Sequence, residues 1–201
     1  MRKYIGQNAC DKCKFKYNTI YSTKKLLHFI NSIANKHIGF YIPTILNYEG
    51  NYIILKHACI LQDNGWDVDI ILPNISINLY EFQNHTFNII SLNKSIINTQ
   101  YDILVATFYS SITFNYYKTK KHLYLVQNCE TDFYSYGNNY RTYAEKTYLI
   151  QFNIEYITIS KWCQDWLFEK YKKRVKYAPN GIEIKYITPY KRNLTKIIYV
   201  Y

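Results

Sequence analysis

The sequence predicts an α/β fold, a Rossmann-like open parallel sheet with helices on both faces. Three stretches carry that reading. Ile38–Ile42, a loop, a helical repeat over Tyr52–Asp63, the pair Asn64-Gly65 and the run Asp67–Leu72 make one strand–helix–strand unit. Such units close right-handed with their strands parallel. Tyr101–Thr107 is apolar at nearly every position, the pattern of a strand covered on both faces. His122–Val126 is a short apolar run that stops abruptly at a polar, aromatic loop, Gln127 to Tyr134. Open α/β sheets build ligand sites where buried strands give way to such loops, at their carboxyl ends.

Taken in order, residues 1–21 are polar and aromatic and include Cys10-x-x-Cys13. Zinc would need two more ligands, and His28 and His37 are too far apart for the usual histidine pair, so no metal site is assigned. Ser22 suits the cap of a helix over Thr23–Asn35, with Leu26, Leu27, Ile30 and Ile33 on one face. Residues 1–37 thus form an extension with one helix.

Pro43 punctuates the first strand, and the loop Asn47–Asn51 follows. In the next helix Ile54, Ala58 and Leu61 form one stripe, and Asn64-Gly65 ends it with a left-handed residue. Phe87–Leu92 reads as a short strand and Ser110–Tyr117 as a short helix. Asn139–Phe152 reads as a helix with Tyr140, Ala144, Thr147 and Tyr148 along one side. Tyr156–Ile159 is a strand, Ser160 caps the helix Lys161–Tyr171, and Arg174–Ala178 is the last strand of the layer. Pro179-Asn-Gly181 is a strong turn signal. The main domain spans residues 38–187. Residues 188–201 are a linker and one further strand, Lys196–Tyr201.

The chain has 201 residues and a formal charge of +11, which favours anionic partners such as phosphorylated molecules or an acidic membrane surface. The 24 tyrosines come with abundant Asn, Ile and Lys. A compositional bias in the coding DNA would raise all four, so tyrosine alone is no binding signature. The basic residues are spread along the chain, and no recognition helix or RNA-binding motif is visible; nucleic acid ranks last among partners. Five cysteines form no even framework, Met1–Tyr17 lacks the apolar core of a secretory signal, and no apolar run reaches a membrane span. The expectation is a cytoplasmic protein, in solution or peripheral to the inner face of the membrane, with reduced thiols.

Several loops resemble the N-terminal domain of GT-B-fold glycosyltransferases, closest to retaining family 4 and its rhamnosyltransferase-like members. Tyr48-Glu-Gly-Asn51 sits where that family has a glycine-rich loop, and Asp63-Asn-Gly-Trp-Asp-Val resembles its helix-to-strand turn. Asp102–Thr107 is similar to its "D-x-x-x-A-T" strand, and Val126–Tyr134 to its "VQD-x-E-x-x-F" loop, followed in both by a helical Ala-Glu pair. Ile157–Trp162 and Tyr177–Ile182 resemble "ITxSxW" and "PNGID". The likeness covers residues 38–201. It departs at Glu49, which replaces a glycine, and at Asn128, which replaces the aspartate of "VQD".

The resemblance implies one half of a GT-B fold, the acceptor side. It implies transfer of a sugar, rhamnose among the candidates, from a nucleotide-sugar co-substrate to a glycan or lipid-linked acceptor, with retention and without a metal or other cofactor. The donor-binding domain is missing from this sequence, so a truncated product or a separate donor-domain chain is the expected partner arrangement. The alternative is a non-catalytic module that binds an anionic glycan, a lipid surface or a partner chain.

The residues suggest their own roles. Gly50 lets a backbone and a helix N-terminus approach a ligand, and Asn51 can bind or cap. Glu130 and Asp132, two apart, face the same side of an extended loop and are the candidate catalytic pair, one orienting or deprotonating an acceptor hydroxyl. Gln127 and Asn128 supply amides, and Phe133, Tyr134 and Tyr109 aromatic surface, for acceptor binding. His57, inside a helix, reads as structural. Cys129 and Cys163 have no histidine at motif spacing and do not suggest a thiol nucleophile.

Overall fold

The computed structural model describes residues 23–26, 36–43, 49–73, 87–92, 100–114, 119–150 and 153–181. Cys10-x-x-Cys13, most of the predicted helix over 23–35, Asn47 and Tyr48, and the run 196–201 lie outside these residues. The elements are β1 (His37–Tyr41), α1 (Glu49–Asp63), β2 (Asp67–Leu72), β3 (Asn88–Ser91) and β4 (Tyr101–Ala106). There follow a 3-10 helix (Tyr109–Phe114), β5 (Thr119–Val126), a second 3-10 turn (Glu130–Phe133), α2 (Asn139–Leu149), β6 (Ile154–Thr158), α3 (Lys161–Tyr171) and β7 (Lys176–Tyr177). The seven strands make one sheet in the order β3-β2-β1-β4-β5-β6-β7, and every pairing is parallel. The predicted fold class is therefore the observed one.

The register sorts the buried side chains onto two faces. Ile38 pairs with Val68 and Ile103, and Phe40 with Ile70 and Val105, so these side chains share one face by the two-residue strand period. That face packs on Ile54, Ala58 and Leu61 of α1, the stripe the sequence predicts. On the other face Tyr124, Val126 and Tyr156 pack on Tyr148 of α2 and Leu167 of α3. Helices thus cover both sides, as an all-parallel sheet requires.

Capping follows the sequence closely. Trp66 N–H bonds Leu61 O at 3.0 Å and Gly65 N–H bonds Gln62 O at 2.9 Å, the two bonds of a Schellman ending, with Gly65 at φ +79°. Ser160 Oγ accepts from Cys163 N–H at 3.0 Å, and Asn138 caps α2 through Tyr140 N–H.

Two predicted boundaries move in ways that matter. Helix α1 begins at Glu49 and not at Tyr52, so Glu49, Gly50 and Asn51 form its first turn where a loop was predicted. A carboxylate in a first turn is favourable against the positive end of the helix dipole, which offsets the low helix propensity of Gly50. Glu130–Phe133 is a 3-10 turn and not an extended stretch. Strand β5 also starts three residues earlier than predicted, at Thr119.

Most of the buried aromatic mass is tyrosine. Tyr101, Tyr124 and Tyr148 are each 0% exposed. A buried phenol needs a partner for its hydroxyl, and each has one. Tyr101 donates to Asp69 at 2.8 Å, Tyr124 donates to Glu130 at 2.5 Å, and Tyr148 accepts from Glu130 N–H at 3.3 Å. These three tyrosines give the core wired polar ends. Among the described residues no helix is long and apolar enough to cross a membrane.

Candidate functional site

Strand order reverses at β1, which has β2 on one side and β4 on the other. The chain therefore leaves the neighbouring carboxyl ends in opposite directions, and a crevice opens there. A cavity of about 670 Å³ occupies it. Its lining comes from one end of the sheet: Pro43 after β1, the first turn of α1, Thr107 and Phe108 after β4, the loop after β5, Ile159 after β6 and Asn180 after β7.

Short polar ties hold this rim. Thr107 Oγ1 donates to Tyr41 O at 2.6 Å, linking the ends of β4 and β1. Thr158 Oγ1 donates to Val126 O at 2.9 Å, linking β6 to β5. Ser111 Oγ accepts from the N–H groups of Thr107 and Phe108 at 3.0 and 3.1 Å, satisfying donors that the strand end would otherwise leave unpaired.

Glu130 is the buried acid of the site, 2% exposed. Its Oε2 accepts from Tyr124 OH at 2.5 Å and from Tyr109 N–H at 2.7 Å. Burial raises its pKa to about 8, against the opposing pull of those two donors. Desolvation wins because a carboxylate loses more hydration than two hydrogen bonds return. The carboxyl thus titrates near neutral pH at the cavity wall, the range in which a proton acceptor or donor is most effective.

Asp132 does not share that position. A 3-10 turn has three residues per turn, so residues two apart diverge. The Asp132 side chain is 52% exposed and pairs with Arg141 at 3.4 Å. The expected same-side carboxylate pair is therefore corrected: one acid lines the cavity and the other is a surface ion pair. Arg141 also donates to Thr131 O and Tyr134 O at 2.8 and 2.9 Å, making it the clamp on this turn.

Of the other predicted residues, Gly50, Asn51, Gln127, Asn128 and Phe133 line the cavity. Asn128 Oδ1 accepts from Cys129 N–H at 2.8 Å. Tyr109 and Tyr134 do not line it. Their hydroxyls bond each other at 2.9 Å, and Tyr109 acts through its backbone on Glu130. A Cβ at Gly50 would stand 3.0 Å from Gln127 Oε1, so the glycine is what lets α1 close on the amide.

Sequence reasoning placed Phe108 on the rim, since it follows the strand that ends at Thr107, but did not select Glu49, Thr107 or Asn180. Asn180 had a readable signal, since it follows the last strand and must reach the same rim. Its Oδ1 is buried without a partner, and so is Gln127 Oε1; both residues line the cavity. Phe108 and Phe133 lie nearly parallel, 6.4 Å between centroids at 16°, as an aromatic wall. Glu49, in the first turn of α1, lines the cavity too.

His57 is structural, as expected: it is buried, and its Nδ1 lies 3.0 Å from Thr23 Oγ1. Burial lowers its pKa to about 4. Cys129 and Cys163 are both buried. No protein-family model matches the chain, and no curated protein matches it.

Proposed function

We propose that the cavity binds a neutral, hydroxyl-rich ligand, and that the chain supplies the acceptor-side wall of a GT-B-type retaining glycosyltransferase. The observation that carries the first half is the charge of the lining. The chain has a net charge of +11, yet the described lining residues include no Lys, Arg or His. They include two acids, Glu49 and Glu130, four amides and the Phe108–Phe133 wall. A diphosphate would meet repulsion from Glu49 at the very helix end that otherwise attracts anions. A saccharide suits all of it. Its hydroxyls can donate to the unpartnered oxygens of Gln127 and Asn180, and its C–H face can lie on the phenylalanines.

In this reading Glu130 receives a hydrogen bond, and in the reaction the proton, from the acceptor hydroxyl that attacks the sugar's anomeric carbon as the bond to the nucleoside diphosphate breaks and that group leaves. Gln127 and Asn180 hold the acceptor, and Tyr124 and the Tyr109 backbone hold Glu130. The nucleotide sugar belongs to a second Rossmann-like domain, on this or another chain, which would complete the cleft. The resemblance of the Val126–Tyr134 and Tyr177–Ile182 segments to family 4 supports the assignment, and rhamnose is the donor sugar it favours.

The test is amide NMR of the isotopically labelled chain with rhamnose-containing oligosaccharides and, separately, with nucleotide sugars. Saccharides should shift Gln127, Glu130 and Asn180 resonances. Tight binding of a nucleotide sugar by this chain alone would overturn the assignment of halves, and saccharide shifts confined to other surfaces would overturn the site.

A second reading has one observation in its favour. Tyr136, Tyr140 and Tyr143 are 89%, 57% and 55% exposed. Arg141 lies over the Tyr136 ring at 4.1 Å, and Lys146 over Tyr143 at 6.0 Å. Aromatic and basic side chains together suit an anionic membrane interface. Cosedimentation with phosphatidylglycerol vesicles that Tyr140→Ala/Tyr143→Ala abolishes would support it; equal sedimentation of the variant would remove it.

A further inference from the structure

At the opposite end of the sheet from the cavity, three potential ligands meet. His37 opens β1, and Asp67 opens β2. The register pairs His37 with Asp67 and Gly39 with Asp69, so the two-residue strand period brings His37, Asp67 and Asp69 to one side of the sheet. His37 Nε2 lies 3.0 Å from Asp69 Oδ2 and 3.8 Å from Asp67 Oδ2. One ligand atom from each residue lies within 4.8 Å of the others. From these positions we infer a site for a zinc-class divalent ion, held by His37, Asp67 and Asp69.

The spacing fits. A tetrahedral zinc with bonds of about 2.0–2.1 Å sets its ligand atoms about 3.3 Å apart, and the two observed separations bracket that value. One imidazole and two carboxylates form a donor set that suits zinc and neighbouring first-row ions better than magnesium or calcium, which prefer oxygen alone. Three protein ligands leave one position for water. Asp67 is 66% exposed along its side chain and His37 25%, so an ion and its water have access.

A second observation points to a cation independently of the spacing. The Asp69 side chain is only 3% exposed, and its Oδ1 is buried without a partner. Its other oxygen accepts from Tyr101 OH at 2.8 Å. A buried carboxylate oxygen with no donor is costly, and an ion held by both oxygens of Asp69 would satisfy Oδ1 while Tyr101 OH, on Oδ2, orients the group. Among the described residues, Lys120 pairs with Asp102 at 2.6 Å, and Lys36 Nζ reaches Asn64 O at 3.5 Å. The ion would join the starts of β1 and β2, and so stabilise the folded state over an unfolded chain that lacks the site.

The experiment uses the full chain, stripped with a chelator and dialysed against zinc chloride. Bound zinc is counted by mass spectrometry, and thermal melting is followed in parallel. His37→Gln and Asp67→Asn are compared with the parent, and Cys10→Ser/Cys13→Ser controls for zinc on those thiols. Asp67 is exposed, so its variant tests the site without disturbing the core. The expected result is a zinc equivalent, with a raised melting temperature, that binds at least tenfold more weakly in His37→Gln and Asp67→Asn and is retained in the cysteine variant. Cobalt in place of zinc should give the visible absorption of a four-coordinate site. No zinc uptake by the parent, or uptake that Asp67→Asn leaves unchanged, or uptake lost in the cysteine variant alone, would overturn the site.

Discussion

Glu130 Oε2 lies 2.5 Å from Tyr124 OH, and this one contact joins the sheet core to the cavity wall. Tyr124 is a wholly buried residue of β5, while Glu130 begins the turn that follows that strand. The fold therefore sets the position of the acid from beneath, through a side chain that cannot move without opening the core. Burial raises the Tyr124 pKa well above that of a free phenol, so Tyr124 stays a donor at all working pH values.

The pH dependence of stability should carry the mark of Glu130. Its folded pKa is raised from 4.5 to about 8, so the folded state holds the proton more tightly than the unfolded state. Its contribution is fully present below about pH 4.5 and is lost as pH rises toward 8. His57, lowered from 6.5 to about 4, acts in the other sense: its contribution is present above pH 6.5 and is lost as pH falls toward 4. Urea denaturation of parent and Glu130→Gln at pH 5, 6.5 and 8 separates the two. The parent should lose stability relative to Glu130→Gln across that range, by on the order of a few kcal/mol. Parallel curves would show that Glu130 does not titrate there.

Gly50→Ala should damage binding more than folding. The added methyl meets only the end of the Gln127 side chain, at 3.0 Å, and that side chain can swing aside. Alanine's helix propensity offsets the disturbance, so stability should change by less than about 1 kcal/mol. Saccharide binding, read by NMR titration, should weaken at least fivefold as Gln127 Oε1 is displaced from the cavity.

Asp132→Ala separates the two acids. Its pair with Arg141 is exposed on the carboxylate side and 3.4 Å long, a geometry worth no more than about 0.5 kcal/mol. Melting temperature and saccharide affinity should both stay near the parent's. A large loss of affinity would mean that the ligand reaches over the turn to the outer acid.

Gly39→Ala should be costly. A Cβ there would lie 2.9 Å from both Ile71 Cδ1 and Tyr101 Cε1, and 3.2 Å from Leu104 Cδ1. Tyr101 is fully buried and tied to Asp69, so it has nowhere to go. Overpacking of this kind costs about 1–3 kcal/mol, measurable as a drop in the urea midpoint. An unchanged midpoint would mean that the sheet spreads at β1 without penalty.

Much of this architecture is local chemistry and could be read from the chain. Asn64-Gly65 had to end a helix because only a left-handed residue completes that cap. Ser160 had to begin one. The apolar runs at Tyr101–Ala106 and Leu123–Val126 could only be covered strands, and the polar residues that follow them had to lie at one rim. Gly50, Gln127 and Glu130 were legible as site residues for that reason. Where local reading failed, backbone geometry below its resolution decided. An extended loop and a 3-10 turn have the same composition, yet only the second sends Asp132 to solvent while burying Glu130.

Other relations needed the tertiary structure. The raised affinity of Glu130 for its proton comes from the depth of burial, which outweighs the two donors that reach one oxygen. The absence of cationic side chains among the described lining residues depends on which faces of the loops turn inward, in a chain whose overall charge suggests the reverse. The meeting of His37 with Asp67 and Asp69 depends on strand register across 30 residues of sequence. Spacing along a chain governs caps, turns and strand periods because those involve neighbours; who stands beside whom across a sheet follows from packing the whole sheet at once.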